Sequence, residues 1–278
     1  MPELPEVQTI VNDLNAAGMT GRQVVQAQVF WPRTIATSSP ETFRRSIKGQ
    51  VIGTIGRRAK FILFGFKSGK RLAVHLRMTG RFQIGKSDRP NGHVHVILSL
   101  DDGRSLWFHD TRKFGRFYLM DTSESESLLA SLGPEPLDAA FTPGVLAGGL
   151  ARHHRQIKPL LLDQTFIAGL GNIYVDESLW AARIHPLRRA DTLLPAEVKA
   201  LHAAIRHTLR QGLKYAGTTL GRGQSNFYSL GESRGTNDTH LKVFRRTGLP
   251  CERCKRPIER IVVGQRSTHL CQWCQRLQ

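Results

Sequence analysis

The chain has 278 residues, enough for two or three domains that each bury a hydrophobic core. Its 40 Lys and Arg outnumber 22 Asp and Glu, which gives a formal net charge of +18 and a pI near 10.6. Such a charge indicates a polyanionic partner, nucleic acid first, and says nothing of the fold. No run approaches the roughly 20 apolar residues of a membrane span, and the N-terminus lacks the regions of a signal peptide. The sequence therefore predicts a cytoplasmic or nucleoid-associated protein and excludes a membrane protein.

The first six residues, Met-Pro-Glu-Leu-Pro-Glu, combine a potential nucleophile with two carboxylates. Removal of Met1 is expected because the next residue is small, and it leaves Pro2 with a free secondary amine. Apolar residues at helical spacing follow as far as Leu14, so Pro2 lies at a helix start, where the dipole disfavours positive charge. A neutral amine with a pKa of about 7.7–8.0 is nucleophilic at neutral pH, and Glu3 and Glu6 stand beside it. The ordinary alternative is a capped helix whose glutamates complement its dipole.

Residues 23 to 120 consist mainly of short apolar runs separated by turns, a pattern typical of a β-sandwich or barrel. The predicted strands are Val24–Phe30, Val51–Ile55, Phe61–Phe66, Leu72–Leu76, Val94–Leu100, Ser105–His109 and Phe117–Met120.

Helical patterns follow a linker-like segment. Between about residues 121 and 140 the chain carries five acidic and no basic residues around a Gly-Pro-Glu-Pro sequence. Predicted helices begin at Thr142-Pro143 and cover Pro159–Leu162, Ile173–Ala182 and Pro195–Tyr215. Residues 168–174, Ala-Gly-Leu-Gly-Asn-Ile-Tyr, form a glycine-rich turn before a helix, which suits a phosphate, although glycines often simply turn the chain. Residues 217–239 are rich in Gly, Ser and Asn without periodicity and predict a mobile loop.

All four cysteines fall in the last 28 residues as Cys-x2-Cys-x16-Cys-x2-Cys. Two paired knuckles at this spacing predict a tetrahedral site for one Zn²⁺ rather than disulfides. Its ligands are Cys251, Cys254, Cys271 and Cys274. Because four protein ligands leave no position for water, the metal is expected to be structural. Residues 242–278 also contain nine Lys or Arg against two Glu, which favours nucleic acid as the partner of this segment.

The Pro-Glu-Leu-Pro-Glu-Val opening, the Gly-Leu-Gly-Asn turn and the four-cysteine segment resemble those of the bacterial formamidopyrimidine-DNA glycosylases, and they occur in the order of that family. The resemblance covers essentially the whole chain. It implies an α+β multidomain fold with an N-terminal β-sandwich and its leading helix, a helix–two-turn–helix domain and a C-terminal zinc finger. We expect the sandwich at residues 1–132, a linker at 133–141, the helical domain with its lesion loop at 142–238 and the finger at 239–278.

The resemblance also implies catalytic residues. Pro2 is the nucleophile of this family and Glu3 the acid. Lys60, at the end of an Arg-Arg-Ala-Lys run, matches the catalytic-site lysine, and Arg266 matches the arginine at the tip of the zinc-held hairpin that clamps phosphate. By residue type alone, Lys60 is better interpreted as a lysine that guards a strand edge, and Arg266 is as readily a solvated surface arginine.

Seven residues are implied to contact DNA: Glu6, Met78, His93, Arg112, Phe114, Lys158 and Asn172. Met78, Arg112 and Phe114 match positions that fill the gap left by an extruded nucleotide, a role suited to an apolar wedge and a planar cation. Without the family, Met78 reads as a core residue and Arg112 as a turn residue. His93 and His95 resemble a paired feature of the family whose roles we leave open, because Val94 stands where an acidic residue is common.

The function implied is that of a bifunctional DNA glycosylase and abasic-site lyase of base excision repair. Its substrate is duplex DNA with 8-oxoguanine, formamidopyrimidines or abasic sites, and it acts as a monomer through a Schiff base on Pro2 and β,δ-elimination. One alternative is an endonuclease VIII-like enzyme for oxidised pyrimidines, because residues 221–228 depart from the family pattern. The other is a non-catalytic zinc protein that binds damaged DNA, against which the Pro2, Glu3 and Lys60 set argues.

Overall fold

The structure is a computed structural model that describes residues 1–85, 92–221, 223, 227–230 and 233–277. These residues form two compact units, one of Met1–Ser131 with Tyr215–Thr236 and one of Leu132–Lys214 with Asn237–Gln278. Most of the loop that we expected in the helical domain therefore groups with the N-terminal unit, and the finger shares a unit with the helices. Within that loop, residues 222, 224–226, 231 and 232 lie outside the described residues.

The first unit contains two four-stranded antiparallel sheets, ordered β1-β6-β7-β5 and β2-β3-β4-β8. The strands are β1 Val24–Val29, β2 Ile52–Arg58, β3 Phe61–Phe66, β4 Arg71–His75, β5 Arg81–Gly85, β6 Val94–Leu100, β7 Ser105–His109 and β8 Arg116–Met120. Its helices are α1 Leu4–Ala16, α2 Pro40–Ile47 and α3 Thr122–Ala130.

Buried aromatic rings join the two sheets into a sandwich. Phe64 and Phe82 lie on different sheets with 6.0 Å between ring centroids, and Phe108 and Phe117 lie 4.8 Å apart in an edge-to-face arrangement. The apolar face of α1, which includes Leu14, joins the same core. Each such side chain contributes about 1.5–3 kcal/mol by leaving water. The predicted β-sandwich with a leading helix is confirmed.

The second unit is helical with a β-hairpin. Its helices are α4 Pro143–Leu150, α5 Ile157–Leu162, α6 Asn172–Ala182 and α7 Pro195–Lys214, and the hairpin strands are β9 Glu259–Val263 and β10 Arg266–Leu270. As its sequence predicts, α4 begins with a Thr142 cap, whose Oγ1 accepts a hydrogen bond from Val145 N at 3.3 Å. None of the helices in the described part of the chain has the length and apolarity of a membrane span.

Three elements differ from the sequence-based prediction. β5 and α2 were not predicted, and α3 occupies part of the acidic segment that we interpreted as a linker. α3 begins with a capping box, in which Asp121 accepts a hydrogen bond from Glu124 N and Glu124 accepts one from Asp121 N. The acidic residues that suggested a linker therefore include the cap of a helix.

Candidate active site and nucleic-acid interface

The first turn of α1 holds two glutamates in a capping box. Glu3 N donates to Glu6 Oε2 at 2.8 Å, and the Glu3 carboxylate accepts the Glu6 N–H in return. Both side chains are buried, and Glu6 Oε1 also accepts a hydrogen bond from Thr218 N at 2.8 Å. Glu6 therefore joins the first turn to the start of the 217–236 loop, a contact that sequence reasoning missed.

The amine at the start of the chain lies within the electrostatic reach of four charged side chains. Its pKa falls below the ordinary value of 8.0, first because the amine is buried and also because Lys60 and Arg112 repel a positive charge there. Glu3 and Glu6 oppose this shift. The surroundings as a whole favour the neutral amine, which is the nucleophilic form. That amine belongs to Met1, and the next residue, Pro2, is buried.

Lys60 is held at the turn between β2 and β3. Arg58 and Phe61 are the last paired residues of these strands, so Ala59 and Lys60 form a two-residue turn. Ala59 has a positive φ of 52°, a strained conformation for a residue with a Cβ, and Arg57 Nη1 donates to its carbonyl oxygen at 2.9 Å. Lys60 is buried, as a lysine that only guards an edge would not be.

Met78, Arg112 and Phe114 lie on two turns of the first unit. Arg112 and Phe114 are exposed, Phe114 to 46 %, and Arg112 Cζ lies 4.9 Å from the Phe114 ring centroid. Met78 is half-buried, so it is not the core residue that its type alone suggested. An exposed ring and guanidinium on one turn suit insertion into a base stack.

The two histidines of the paired feature have different surroundings. His93 is exposed, with its ring centroid 5.5 Å from that of His109. His95 is buried, and its Nε2 donates to the Asp110 carbonyl oxygen at 2.7 Å. Burial lowers the pKa of His95. His93 is therefore accessible to a ligand, whereas His95 supports the backbone at Asp110.

Lys158, for which the resemblance implies a contact with DNA, is fully buried in the protein. Its ammonium donates to Asp176 Oδ1 at 2.6 Å and to the Ser267 carbonyl oxygen at 3.0 Å. Asn172, at the first turn of α6, donates from Nδ2 to the same carbonyl oxygen at 2.8 Å. Both residues therefore hold the residue that follows Arg266. Asn172 is half-buried, so it retains some exposed surface.

Two further acidic residues of α6 bind the finger segment, and their roles were missed. Asp176 Oδ2 accepts a hydrogen bond from His269 N at 2.9 Å. Glu177 accepts backbone N–H groups at 2.8–2.9 Å, from Lys242, Val243 and Phe244. Burial raises the pKa of Glu177. The signal was present in the Asp-Glu pair that follows the glycine-rich turn, but its partners are 65 or more residues distant in sequence.

The four cysteines come together as a metal site. Their Sγ atoms all lie within 4.8 Å of one another, for example 4.0 Å between Cys251 and Cys274 and 3.4 Å between Cys254 and Cys271. Thiolates about 2.3 Å from a tetrahedral Zn²⁺ require S···S distances of about 3.8 Å, so the donors fit this ion in number, type and spacing.

The hairpin of β9 and β10 carries Arg266. Val263 and Arg266 are the last paired residues, and Gly264 and Gln265 between them have φ values of 53° and 62°. Positive φ at both positions defines a tight two-residue hairpin turn. Arg266 is exposed at this tip, where its guanidinium is accessible to a ligand.

Comparisons with known proteins agree along the whole chain. Residues 1–117 match the formamidopyrimidine-DNA glycosylase N-terminal domain, residues 132–223 the helix–two-turn–helix domain of that glycosylase, and residues 248–277 the zinc finger found in this glycosylase and in isoleucyl-tRNA synthetase. The formamidopyrimidine-DNA glycosylase of Protochlamydia amoebophila is 46 % identical over 99 % of this chain and 100 % of its own. That of a Roseiflexus species is 48 % identical over the same shares.

Solved structures agree as well. A Lactococcus lactis enzyme variant in complex with Fapy-dG-containing DNA has a TM-score of 0.93 at 34 % identity, covering 99 % of this chain and 100 % of that one. The MutM (FPG) protein of Thermus thermophilus has a TM-score of 0.88 at 38 % identity, covering 99 % and 98 %.

The β-sandwich, the helical domain and the four-cysteine site together define a DNA-repair glycosylase with a structural zinc finger. The chain belongs to the formamidopyrimidine-DNA glycosylase family, as full-length relatives at 46–48 % identity establish. The sequence-based predictions of family, fold class and zinc are confirmed.

Proposed function

We propose that this protein is a bifunctional glycosylase and abasic-site lyase that removes oxidised purines from duplex DNA with the amine of Pro2. The observation that carries the proposal is the set of charged groups at the chain start, where the buried Glu3 and Glu6 carboxylates and the Lys60 and Arg112 cations act on the amine of Met1, the residue before Pro2. A nucleophile needs a neutral amine, and the elimination steps that follow need acids and bases close to it.

The first chemical step is attack of the Pro2 nitrogen on C1′ of the extruded nucleotide. The base leaves C1′ with the bonding electron pair and takes up the proton that the amine nitrogen loses, Glu3 gives a proton to the opening sugar-ring oxygen, and the lone pair of the amine forms a C=N⁺ bond. Glu3 is suited to this role because the capping box fixes its carboxylate at the helix start. Protonation at the ring avoids a free alkoxide.

The iminium is an electron sink for the next steps. It acidifies C2′, and loss of that proton expels the phosphate on the 3′ side. A second elimination expels the phosphate on the 5′ side, and hydrolysis frees Pro2. Lys60 supports these steps as a buried cation beside the amine, where it stabilises the phosphate charge near the reacting sugar.

We assign binding of the DNA backbone to Arg266, Asn172 and His93, which have exposed or half-exposed side chains. We also assign to Met78, Arg112 and Phe114 the filling of the gap that the extruded nucleotide leaves in the base stack. Glu6 positions Glu3 and the loop start through its two hydrogen bonds. Lys158 acts through Ser267 and not on phosphate itself.

The substrate class rests on relatives that are named formamidopyrimidine-DNA glycosylases and on a neighbour solved with Fapy-dG-containing DNA. Since those relatives are bacterial and the net charge is +18, we place the protein in the bacterial cytoplasm at the nucleoid, as a monomer.

The nucleophile is tested by borohydride trapping on an abasic duplex. Fully processed protein, confirmed by intact mass, is compared with protein that retains an N-terminal tag, in which the Pro2 nitrogen is an amide with a delocalised lone pair. The processed form should trap DNA and the tagged form should bind duplex without trapping it. Equal trapping by the tagged form would move the nucleophile to a lysine, Lys60 first.

The lesion class is tested on duplexes that contain 8-oxoguanine, a formamidopyrimidine or thymine glycol. Faster release of both purine lesions supports the proposal. Preferential release of thymine glycol would instead indicate an endonuclease VIII-like enzyme, and binding without cleavage of any substrate a non-catalytic protein.

A further inference from the structure

A buried carboxylate lies between the two turns that carry the proposed wedge residues. Met78 stands on the turn of residues 76–80, and Arg112 and Phe114 stand on the turn of residues 110–115. Asp110 is the first residue of the second turn and is 0 % exposed. A fully buried aspartate must have its oxygens satisfied by hydrogen bonds, so its partners show what it organises.

Those partners come from both turns. Asp110 Oδ1 accepts a short hydrogen bond from Thr79 Oγ1 and a second one, at 3.2 Å, from Arg112 N. Asp110 Oδ2 accepts from Gly115 N at 2.7 Å. Arg112 N also lies 3.1 Å from Thr79 Oγ1, which closes a three-membered set of hydrogen bonds.

The main chain of Asp110 is fixed as well. Its N–H donates to the His93 carbonyl oxygen at 2.9 Å, and its carbonyl oxygen accepts from His95 Nε2 at 2.7 Å. Asp110 is therefore anchored to β6 while its side chain reaches both turns.

Neither turn has room to relax. Arg77 and Lys113 both have positive φ, 55° and 60°, a strained conformation for residues with a Cβ. A Cβ at Gly115 would lie 2.3 Å from Phe108 Cζ, and one at Gly80 would lie 2.9 Å from the same atom. Both turns thus pack closely against a single buried ring.

An aspartate that accepts from the N–H two residues on is an ordinary turn device. The bond from Thr79 is not explained that way, because it comes from the other turn, 31 residues away in sequence. Thr79 is itself buried, so its hydroxyl serves Asp110 and not solvent.

We propose that Asp110 and Thr79 are positioning residues that lock the Met78 turn to the Arg112–Phe114 turn, so that the three side chains enter the vacated stack as one rigid unit. This inference rests on the proposed function, since it concerns the wedge that holds duplex DNA open. Unstacking a nucleotide costs a few kcal/mol, which contacts of the inserted side chains with the neighbouring bases offset. Side chains that move independently offset less of this cost, because they must also be ordered on insertion.

The test measures two single-turnover rates for each variant: excision of 8-oxoguanine from a paired duplex, and strand cleavage at a preformed abasic site, which requires less disruption of pairing. Thr79→Val removes the hydroxyl at nearly constant volume. Loss of a hydrogen bond to a charged group predicts about a tenfold or larger drop in paired-lesion excision, with a much smaller change in abasic-site cleavage. Thr79→Ser keeps the hydroxyl and should retain the native rate of paired-lesion excision.

Asp110→Asn provides a second variant with the same shape, in which an amide NH₂ replaces one of the two acceptor oxygens. Asp110→Asn should likewise lower paired-lesion excision much more than abasic-site cleavage. Melting temperatures identify a variant that is merely unfolded, because general unfolding lowers both rates together.

A double-mutant cycle with Phe114→Ala makes the inference specific. If Thr79 acts through the wedge, Thr79→Val should lower paired-lesion excision far less in the Phe114→Ala background than in the native one. Additive losses, or equal losses on both substrates, would overturn the inference. If Phe114→Ala lowers both rates equally, the proposed wedge role itself is wrong. If Phe114→Ala selectively lowers paired-lesion excision and Thr79→Val does not, the wedge role stands and only the proposed link between the two turns is wrong.

Discussion

The ammonium of Lys158 and the carboxylate of Asp176 form an ion pair that is fully buried, with 2.6 Å between Nζ and Oδ1. Its second acceptor, the Ser267 carbonyl oxygen, belongs to the hairpin that carries Arg266. The pair thus links α5 and α6 to the hairpin within one unit.

Lys158→Met should destabilise the second unit by about 3–5 kcal/mol, because it leaves the Asp176 carboxylate buried without its cation. Denaturant midpoints measure the loss. Arg155→Met is the matched control, because Arg155 pairs with Asp163 at 2.5 Å but lies 45 % exposed, and an exposed pair is worth at most about 1 kcal/mol. Equal losses in the two variants would contradict the interpretation of Lys158 as a buried structural cation.

Arg266→Ala should weaken duplex binding at all sequences and reduce the magnitude of the salt slope by about one unit, as expected for one lost phosphate contact. Arg44→Ala, which removes a surface arginine paired with Glu41, serves as the control for net charge. A salt slope that Arg266→Ala leaves unchanged would mean that Arg266 does not touch phosphate.

Cys271→Ala should release the zinc ion and unfold the finger, since a structural site supplies its binding free energy to folding. Zinc content, hydrogen exchange of residues 248–277 and duplex affinity measure the three effects. Full affinity in protein shown to be free of zinc would mean that the finger is dispensable for binding.

Gly217→Ala should slow base excision by about tenfold or more, a change of about 1.4 kcal/mol. Gly217 has a φ of +84°, and a Cβ there would lie 3.0 Å from Glu6 Cγ and from Phe227 Cε1. Gly221→Ala is a close control, because Gly221 has the same φ of +84° with nothing within 4 Å of its Cβ. Both variants carry the left-handed backbone cost of about 1–2 kcal/mol, so the difference between them reports displacement of Glu6. Identical rates would show that the Glu6 contact is unimportant.

Stability should fall as the pH drops below about 6.5, in part because of His75. Burial, with Arg77 and Lys60 nearby, lowers its pKa to about 3, so the folded state keeps this histidine neutral while the unfolded chain takes up a proton. The contribution of His75 to the free energy of unfolding is fully present above the pKa of the unfolded state. It declines as the pH falls towards the pKa of the folded state, by at most about 1.4 kcal/mol per pH unit.

Unfolding free energies at pH 7, 6 and 5 test this dependence. His75→Asn, whose amide oxygen can accept the Arg77 N–H that His75 Nδ1 now accepts at 3.0 Å, should show a shallower decline. An unchanged slope for His75→Asn would mean that His75 titrates equally in both states.

Patterns confined to a short stretch of sequence were predictable. The start of α1, the cap of α4 and the spacing of the cysteines each depend on neighbours within a few residues. β5 was missed because it has only two apolar side chains, Phe82 and Ile84, before it ends at a glycine. α2 was missed because eight residues are too few for a helical period to stand out, although Ser39 and Pro40 provide a cap and a first turn.

Contacts between distant segments were not predictable. Lysine is rarely buried, so nothing in its residue type indicated a buried Lys158, and the carbonyl oxygen that binds it lies 109 residues further along the chain. The same holds for the hydrogen bond between Thr79 and Asp110, which are 31 residues apart in sequence. A sequence can indicate which residues bear chemistry, but the partner that fixes each of them is set by tertiary packing.

The Ser267 carbonyl that Lys158 and Asn172 share is a main-chain group, and this has a consequence for how the hairpin tolerates change. Every amino acid offers the same oxygen, so the anchor is indifferent to the side chain at position 267. It is sensitive to length instead. Deleting one residue from the turn would shift β10 against β9 and offer the two donors a carbonyl that points the other way. Along this hairpin, insertions and deletions should therefore be far more harmful than substitutions.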